Sequence, residues 1–408
     1  MGNNDKRPKI RFKGFNDDWE QHKLTEFVEF FSGLTYTPND VQENGTFVLR
    51  SSNVSNGEII NSDNVYVNPQ VVNSENVREG DIIVVVRNGS RSLIGKHAII
   101  KEFMDNTVIG AFMTGIRSKY PQFINALLNT SKFEEEIAMN MGATINQITG
   151  YMFSKMEFKT TSGLEQKKVG EYFEELDNLI SLHQRKLEKL GNIKKSMLEK
   201  MFPKDENKVP EIRFKGFNDD WEQHKVSEIT NFHKQGFYTT ESYNDEKKYY
   251  LLRGTDLTEN KLILKDTPKI NATEKDYQAF KAQIGDFLIV RSGTVGTYGI
   301  VYEDIPAIFG SYLIDFRFNK NQVINEFFGY FYQSDLFKNQ LKMIIQQSAN
   351  TNINAENIKS TFIKLPSLAE QKKISDYFQN IDHLISLHQR KLEKLKNIKK
   401  ACLEKMFV

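Results

Sequence analysis

Four short polar clusters combine arginine with asparagine, serine or threonine, and each follows a stretch typical of a β-strand. They are Arg50-Ser51-Ser52-Asn53, Arg87-Asn88-Gly89-Ser90-Arg91, Arg253-Gly254-Thr255-Asp256 and Arg291-Ser292-Gly293-Thr294. A guanidinium group can donate two hydrogen bonds to guanine, and a carboxamide can pair with adenine, in the major groove of DNA. Any single cluster could instead be a solvated loop. The candidate base-contacting residues are Arg50, Asn53, Arg87, Asn88 and Arg91 in the first half of the chain, and Arg253, Thr255, Arg291 and Thr294 in the second.

Patterns typical of catalysis or cofactor binding do not occur in the sequence. The glycines of Gly89–Lys96 are one residue too far apart for a phosphate-binding loop, and His97 stands where serine or threonine would bind magnesium. Gly293, Gly296 and Gly299 do not have dinucleotide-binding spacing. The chain carries neither of the Asn-Pro-Pro-aromatic and Asp-Pro-Pro-aromatic motifs of adenine methyltransferases, and its histidines are not spaced as metal ligands. We therefore expect no catalytic, cofactor or metal site in this chain.

Length and composition predict a globular protein of two or more domains. The formal net charge of +2 is low for a DNA-binding protein. Any DNA surface must therefore be a segregated basic face or must depend on partner subunits for phosphate contacts. Apolar runs such as Ile82–Val86 are too short to cross a membrane, and the first residues lack a secretory signal. A single cysteine, Cys402, excludes internal disulfides, and we expect a cytoplasmic protein with no membrane association.

Two long helical stretches carry the same sequence. Leu179–Leu190 recurs letter for letter as Leu384–Leu395, within longer apolar stripes that advance in alternating steps of four and three. Such a stripe is the seam of a coiled coil, and a helix over Glu165–Met201 would be roughly 55 Å long. The predicted seam residues are Ile180, His183, Leu187, Leu190, Ile385, His388, Leu392 and Leu395. We predict that the two helices pair with each other.

Two histidines occupy seam positions where apolar residues are expected. His183 and His388 could lie at the edge of the seam with their polar tips in water. Alternatively, they could meet at a two-fold axis and fix the register of the helices at some cost in stability. The second arrangement makes the helices antiparallel and places the two domains at opposite ends.

The whole chain is a tandem repeat with a period of about 200 residues. Ile10–Lys23 returns unchanged as Ile212–Lys225, either as a packing clip for each domain or also as part of a docking surface for another subunit. The strand-like runs of the first repeat are Thr46–Arg50, Val65–Val67, Asp81–Arg87, His97–Ile100 and Val108–Arg117, followed by a helical stretch from Pro121 to Met141. The second repeat keeps this order with different residues. A common frame that carries two different specificities explains why only the middles of the repeats differ.

Three repeated motifs together are characteristic of one protein family. They are the Phe-Lys-Gly-Phe openings that precede Trp19 and Trp221, the Gly-Asp…Arg strands, and the stretch before each long helix. The second copy of that stretch runs from Leu365 to Ile374, and the first copy lacks its proline. On these motifs the chain resembles, over essentially its full length, the specificity subunit of a type I restriction-modification system.

The resemblance implies an α+β fold. Two mixed α/β target-recognition domains form a tandem pseudo-two-fold repeat and are joined by two long antiparallel helices, a coiled-coil spacer. The implied segments are residues 1–163 (first domain), 164–203 (first helix), 204–368 (linker and second domain) and 369–408 (second helix). Each domain is expected to read one half of a split DNA sequence, and the spacer is expected to set the gap of unread base pairs.

The resemblance also implies partners that carry the chemistry. Two modification subunits would methylate adenine with S-adenosylmethionine, and restriction subunits would use ATP and magnesium, with no cofactor in this chain. One alternative is a structural coiled-coil adaptor that does not read DNA. The other is a stand-alone nuclease.

Overall fold

The computed structural model describes residues 6–141, 146–204, 206–240, 242, 246–258, 260–291, 297–346 and 353–408. The chain forms two compact units of mixed α and β structure, which confirms the predicted α+β fold. Unit 1 contains Met1–Gln184 and Arg390–Val408, and unit 2 contains Arg185–Gln389. The predicted segments treat the long helices as separate pieces, whereas the compact units divide each helix between them.

Unit 1 is built from short strands, with helices that follow them in the chain. The strands are β1 (Glu20–Lys23), β2 (Glu29–Ser32), β3 (Val41–Gln42), β4 (Thr46–Leu49), β5 (Val54–Ser55), β6 (Glu58–Ile59), β7 (Val65–Val67), β8 (Ile82–Val85), β9 (His97–Ile99), β10 (Thr107–Ile109), β11 (Met113–Arg117) and β12 (Glu157–Thr160). The helices are α1 (Pro121–Leu128), α2 (Ser131–Asn140), α3 (Gly150–Phe153) and α4 (Gly163–Lys200), which continues into unit 2. One sheet has the order β10-β4-β7-β3 and another the order β2-β11-β8-β9, while β1 pairs with β12 and β5 with β6.

Unit 2 repeats this plan. Its strands are β13 (Glu222–Lys225), β14 (Thr230–Gln235), β15 (Tyr249–Leu252), β16 (Leu257–Thr258), β17 (Lys261–Leu262), β18 (Lys269–Ile270), β19 (Phe287–Val290), β20 (Tyr298–Ile300), β21 (Ala307–Phe309), β22 (Leu313–Phe318) and β23 (Phe362–Leu365). Its helices are α5 (Glu274–Phe280), α6 (Asn325–Gln333), α7 (Asp335–Gln346), α8 (Ala355–Lys359) and α9 (Leu368–Met406), which ends in unit 1. The sheets have the orders β14-β22-β19-β20-β17-β16 and β18-β15-β21, and β13 pairs with β23.

Two predicted elements are broken where a polar side chain or a glycine interrupts them. The predicted helix Pro121–Met141 is two helices, because the Thr130 hydroxyl accepts a hydrogen bond from Phe133 N at 3.3 Å and so caps α2. Ser334 caps α7 in the same way through Phe337 N. The predicted strand Val108–Arg117 divides into β10 and β11 at a turn after Gly110.

A parallel strand pair in each unit brings two chain segments to one sheet edge. β4 lies parallel to β10, and β15 lies parallel to β21, so the carboxyl ends of each pair meet. A second backbone passes close by. A Cβ atom on Gly33 would lie 2.0 Å from the Gly110 carbonyl oxygen, and one on Gly236 would lie 2.1 Å from that of Gly310. Only glycine permits this approach.

The repeated opening segment clips the start of each long helix to its own domain. Arg11 donates from Nε and Nη2 to the two carboxylate oxygens of Glu165, at 2.6 and 2.8 Å. Trp19 Nε1 donates to the same carboxylate at 3.2 Å. In unit 2 Arg213 holds Glu370 through two bonds of 2.8 Å. These contacts support the packing-clip interpretation of Ile10–Lys23 and Ile212–Lys225.

Within each unit the long-helix segments pack side by side and run in opposite directions. In unit 1 the Tyr172 hydroxyl lies 3.4 Å from Cys402 Sγ, and further along α4 Asp177 accepts from Lys399 Nζ at 2.5 Å. As residue numbers rise along α4, the numbers of the contacting residues in α9 fall, so the two segments are antiparallel. In unit 2, Lys194 Nζ lies 2.6 Å from the Asp382 carboxylate.

The predicted seam residues are half-buried rather than fully buried. They are Ile180, His183, Leu187, Leu190, Ile385, His388, Leu392 and Leu395. Leu395 packs against the core of unit 1, and Ile385 packs against that of unit 2. Their roles, including the meeting of His183 with His388, stay predictions.

A phenylalanine just after the end of each long helix packs into an aromatic core. Phe407, after α9, packs against Trp19 and Phe123 of unit 1, with ring centroids 5.9 and 5.4 Å apart. Phe202, after α4, packs against Trp221 and Phe327 of unit 2. Each helix end thus contacts its core through the packing of a large aromatic side chain.

Candidate nucleic-acid interface

Three segments of unit 1 meet at the edge where β4 and β10 end. Arg50 follows β4, Arg87 follows β8, and Phe112 lies in the turn between β10 and β11. Gly110 N donates to the carbonyl of Leu49 at 2.8 Å, and Arg87 N donates to that of Phe112 at 3.2 Å. We call Arg50, Arg87 and Phe112 the arginine edge of unit 1.

Unit 2 has a corresponding arginine edge, formed by Arg253, Arg291 and Tyr312. Gly310 N donates to the carbonyl of Leu252 at 2.9 Å, and Arg291 N donates to that of Tyr312 at 2.9 Å. The backbone hydrogen bonds of the two edges correspond. The residues that follow the corresponding arginines differ, as Ser51 after Arg50 differs from Gly254 after Arg253. The fold therefore brings together the predicted clusters of each repeat.

Arg87 and Arg91 are exposed and available for contact with an anion or a base. The Arg87 guanidinium carbon lies 5.1 Å from the ring centroid of Phe112. Neither arginine forms an ion pair within the part of the chain that the structure describes. A guanidinium that stacks on a ring keeps its N–H donors directed outward in the ring plane.

Arg50 and Arg253 are partly committed to their own loops. Arg50 Nη2 donates to the Asp63 carbonyl at 2.6 Å and to the Asp63 carboxylate. Arg253 Nη2 donates to the Asp266 carbonyl at 2.8 Å and faces the carboxylate of Asp256. Both guanidinium groups are half-buried and oriented by these bonds, so only their remaining donors can reach a ligand.

Asn53 cannot contact a base, and its prediction as a base-reading residue is wrong. Its side chain is 0% exposed. Its Oδ1 accepts from Arg50 N at 2.9 Å, and its Nδ2 donates to the Ser62 carbonyl at 2.8 Å. Asp256 accepts from Arg253 N in the same way in unit 2. The Arg-x-x-Asn and Arg-x-x-Asp spacing therefore encodes a turn that is closed by a buried side chain.

The other candidate residues differ in solvent exposure and in their hydrogen bonds within the loops. Asn88 is half-buried, and its Nδ2 donates to Ser51 Oγ at 3.1 Å while its Oδ1 accepts from Ser90 N at 3.0 Å. Thr255 is exposed and Arg291 is half-buried. Thr294 lies outside the described residues, and its role stays a prediction.

Phe112 and Tyr312 are the residues of the two edges that the sequence patterns did not predict. Their side chains are 54% and 69% exposed. A signal was present in the repeat itself, because Gly110-Ala-Phe112 and Gly310-Ser-Tyr312 occupy corresponding places. Exposure, which distinguishes them from core aromatic residues, cannot be read from that pattern.

The charged side chains on β11 of unit 1 and on the corresponding strand β22 of unit 2 differ. Arg117 binds Asp81 in unit 1, and Arg317 binds Asp286 in unit 2. Where unit 1 has Gly115, unit 2 has Asp315, whose fully buried carboxylate lies 3.1 Å from Arg317 Nη2. Burial, and then the charge of Asp286, raise the pKa of Asp315 to about 8. Asp315 therefore holds a proton over much of the neutral range.

Neither a metal cluster nor a membrane-spanning helix occurs in the described part of the chain. Across the described ranges, His, Cys, Asp and Glu side chains form no group of three that could hold a metal ion. None of the helices within those ranges is both long and apolar enough to cross a membrane.

Comparison with known proteins identifies one family. The sequence model for the type I restriction modification DNA specificity domain matches residues 16–192 and again 218–397. The StySPI specificity subunit of Salmonella potsdam, a type I restriction enzyme subunit, is 22% identical over 96% of this chain and 89% of its own length. The EcoKI specificity subunit of Escherichia coli K12 is 21% identical over the same shares. The crystal structure of the type I restriction-modification S subunit from M. genitalium shares the fold with a TM-score of 0.67 and 15% identity, covering 98% of this chain and 99% of that one.

Proposed function

Because the chain belongs to the type I restriction modification DNA specificity family, we propose that each of its units reads one half of a split DNA sequence. The observation that carries this proposal is the pair of arginine edges. They share one backbone frame, fixed by corresponding hydrogen bonds at Gly110 and Gly310, and the residues that follow the corresponding arginines differ, as Ser51 after Arg50 differs from Gly254 after Arg253. A shared frame with different side chains suits two half-sites of different sequence.

Four arginines are the proposed readers of base edges, of which Arg87 and Arg91 are exposed and Arg253 and Arg291 are half-buried. Arg87 and Arg91 serve the first half-site, and Arg253 and Arg291 serve the second. Arginine can bind guanine O6 and N7 together, a contact worth roughly 1–3 kcal/mol of discrimination. Arg50, Thr255 and Asn88 contribute through the donors and acceptors that their loops leave free. Thr294 completes the second set.

Other subunits supply the chemistry in this proposal. Two modification subunits, one for each repeat, methylate adenine with S-adenosylmethionine, and restriction subunits use ATP and magnesium. The repeated opening segments support one equal docking place in each unit, because Lys13, Asn16 and Asp17 are exposed and recur unchanged in the second copy. Identical exposed residues suit identical partners.

The low net charge fits such an assembly. Phosphate contacts dominate the affinity of most DNA-binding proteins and carry no sequence information. A chain with a formal charge of +2 has little excess positive charge with which to attract phosphates. We expect the modification subunits to supply much of the phosphate attraction and this chain to supply the choice of sequence.

Selection from a pool of randomised duplexes tests the proposal. The chain, assembled with its modification subunits, is expected to retard and enrich duplexes that share one split motif. A structural adaptor would enrich no motif, even within the complex. A stand-alone nuclease would cleave the pool when the purified chain is given magnesium alone. Either result would contradict the proposed function.

A further inference from the structure

Each arginine edge presents one large aromatic ring at the apex of a turn. Phe112 is 54% exposed and Tyr312 is 69% exposed, although both directly precede buried strands. Isolated apolar side chains on a surface are common and need no special explanation. These two occupy the same position in both repeats, and each accepts at its backbone carbonyl from the N–H of the edge arginine.

The turn that carries each ring is held on several sides. In unit 1, Met113 N donates to Gly110 O at 2.8 Å, and Ala111 N donates to Leu34 O at 2.9 Å. In unit 2, Leu313 N donates to Gly310 O at 2.8 Å. The close passage of Gly33 and Gly236 fixes the other side of each turn. The rings are therefore presented by a fixed backbone, as a contact that must be placed accurately requires.

We infer that Phe112 and Tyr312 are specificity-determining residues that pack against thymine methyl groups in the half-site of their own unit. This inference rests on the proposed function. Apolar contact with the C5 methyl group is how a side chain without donors recognises thymine in the major groove. The ring also orients the arginine, since Arg87 lies over Phe112 at 5.1 Å. Each half-site then contains a guanine close to a thymine, and in unit 2 the Tyr312 hydroxyl adds one donor.

Selection by variant complexes tests the inference. The chain with Phe112→Ala or Tyr312→Ala, assembled with its modification subunits, selects from the pool of randomised duplexes. The matched control is Phe103→Ala, because Phe103 is 77% exposed and precedes β10, at the opposite end of that strand from Phe112. Thermal unfolding of each variant shows whether its fold is kept.

The expected result is specific to one half-site for each variant. Phe112→Ala is expected to lose preference for thymine at one position of one half, with about a tenfold loss of affinity for the wild-type motif. Tyr312→Ala is expected to do the same in the other half, and Phe103→Ala is expected to change neither. Replacing that thymine by uracil, which lacks the methyl group, should weaken the wild-type complex but not the Phe112→Ala complex.

Two outcomes would overturn the inference. One is that Phe112→Ala, folded as the wild type, selects the wild-type motif with wild-type affinity. The other is an equal loss of affinity for every duplex, which would make the ring a general contact rather than a reader of thymine. If the wild-type complex itself selects no split motif, the proposed function fails, and the two failures are therefore distinguishable.

Discussion

At the scale of single residues, the side chains after the strands divide into those that build the loops and those that face outward. Asn53 and Asp256 are buried and close their turns, while Arg87 and Tyr312 are exposed. Both kinds can occur within one short polar cluster, since the exposed Thr255 directly precedes the buried Asp256. A substitution is therefore expected to change stability at a buried position and, under the proposed function, to change recognition at an exposed neighbour.

Asn53→Ala is expected to destabilise unit 1. The substitution leaves the Arg50 N–H and the Ser62 carbonyl without their partner in a buried turn, at a cost of about 1–3 kcal/mol. Denaturant unfolding of the full chain measures the loss. The matched control is Thr255→Ala, because Thr255 is exposed in the corresponding turn of unit 2. If Asn53→Ala unfolds like the wild type and instead alters the selected motif, Asn53 is a reader and not a turn residue.

Asp315 is expected to make the stability of unit 2 depend on pH. Burial raises its pKa from 3.8 to about 8, so between these values the folded chain holds a proton that the unfolded chain has released. Stability therefore falls as the pH rises through this range. Asp315→Asn should flatten this fall when unfolding is followed from about pH 5 to about pH 8. Asp335→Asn, a change at an exposed carboxylate of the same unit, should leave the fall unchanged; an equal flattening there would contradict the assignment.

The sequence could locate the edge arginines but could not separate the proposed readers from turn residues. Arg87 and Asn53 lie in equally polar clusters, and a carboxamide serves equally well as a base contact or as a cap. What separates them is burial, which is set by tertiary packing. Phe112 was missed for the same reason, since nothing local distinguishes an exposed phenylalanine from a core one.

At the scale of elements, both repeats have the same ion pair between the opening segment and the start of the long helix, Arg11 with Glu165 and Arg213 with Glu370. We call this ion pair the clip. Burial acts to raise the pKa of Glu165, but hydrogen bonds from Arg11, Thr161 and Trp19 outweigh it, and the pKa lies below its ordinary value. The carboxylate is thus charged in the folded unit. Its contribution to stability is present at neutral pH and is lost as the pH falls through the lowered value.

Glu165→Ala is expected to destabilise unit 1 by about 3–5 kcal/mol, because it leaves the nearly buried Arg11 without its partner. Unfolding by denaturant measures the loss. Glu171→Ala, further along α4, removes an exposed carboxylate that pairs with the exposed Lys167 and should change stability by less than about 1 kcal/mol. Equal effects of the two substitutions would show that the clip does not stabilise the fold.

Element types were easier to predict than element ends. The four-three stripe predicted helices that the structure places at Gly163–Lys200 and Leu368–Met406, because an apolar stripe with this spacing matches the helical period and not that of a strand. The helix after Pro121 was predicted as one piece, since the capping of α2 by Thr130 depends on a local hydrogen bond that a threonine does not always form. The turn at Gly110 was missed because its neighbours are apolar and typical of strands.

At the scale of the whole molecule, the two long helices connect the repeats in both directions. Helix α4 begins in unit 1 and ends in unit 2, and α9 begins in unit 2 and ends in unit 1. Every residue added to a helix lengthens it by about 1.5 Å. If the helices set the gap between half-sites, that gap must respond to their length.

Insertion of four residues into both Leu179–Leu190 and Leu384–Leu395 is expected to widen the gap. The added length of about 6 Å corresponds to nearly two base pairs at roughly 3.4 Å each. Selection from randomised duplexes by the assembled complex measures the gap and the half-sites together. The control is the same insertion between Pro203 and Pro210, outside both helices. A gap that stays the same in the helix variant would defeat the spacer proposal.

The most direct test of two independent readers is a map of methylated adenine in cells that carry the complete system. The wild-type chain should give one split motif. Arg87→Ala should relax one half only, Arg291→Ala should relax the other half only, and Arg78→Ala, a change at an exposed arginine before β8, should relax neither. A map in which Arg87→Ala and Arg291→Ala alter the same half, or both halves equally, would contradict the assignment of one half-site to each unit.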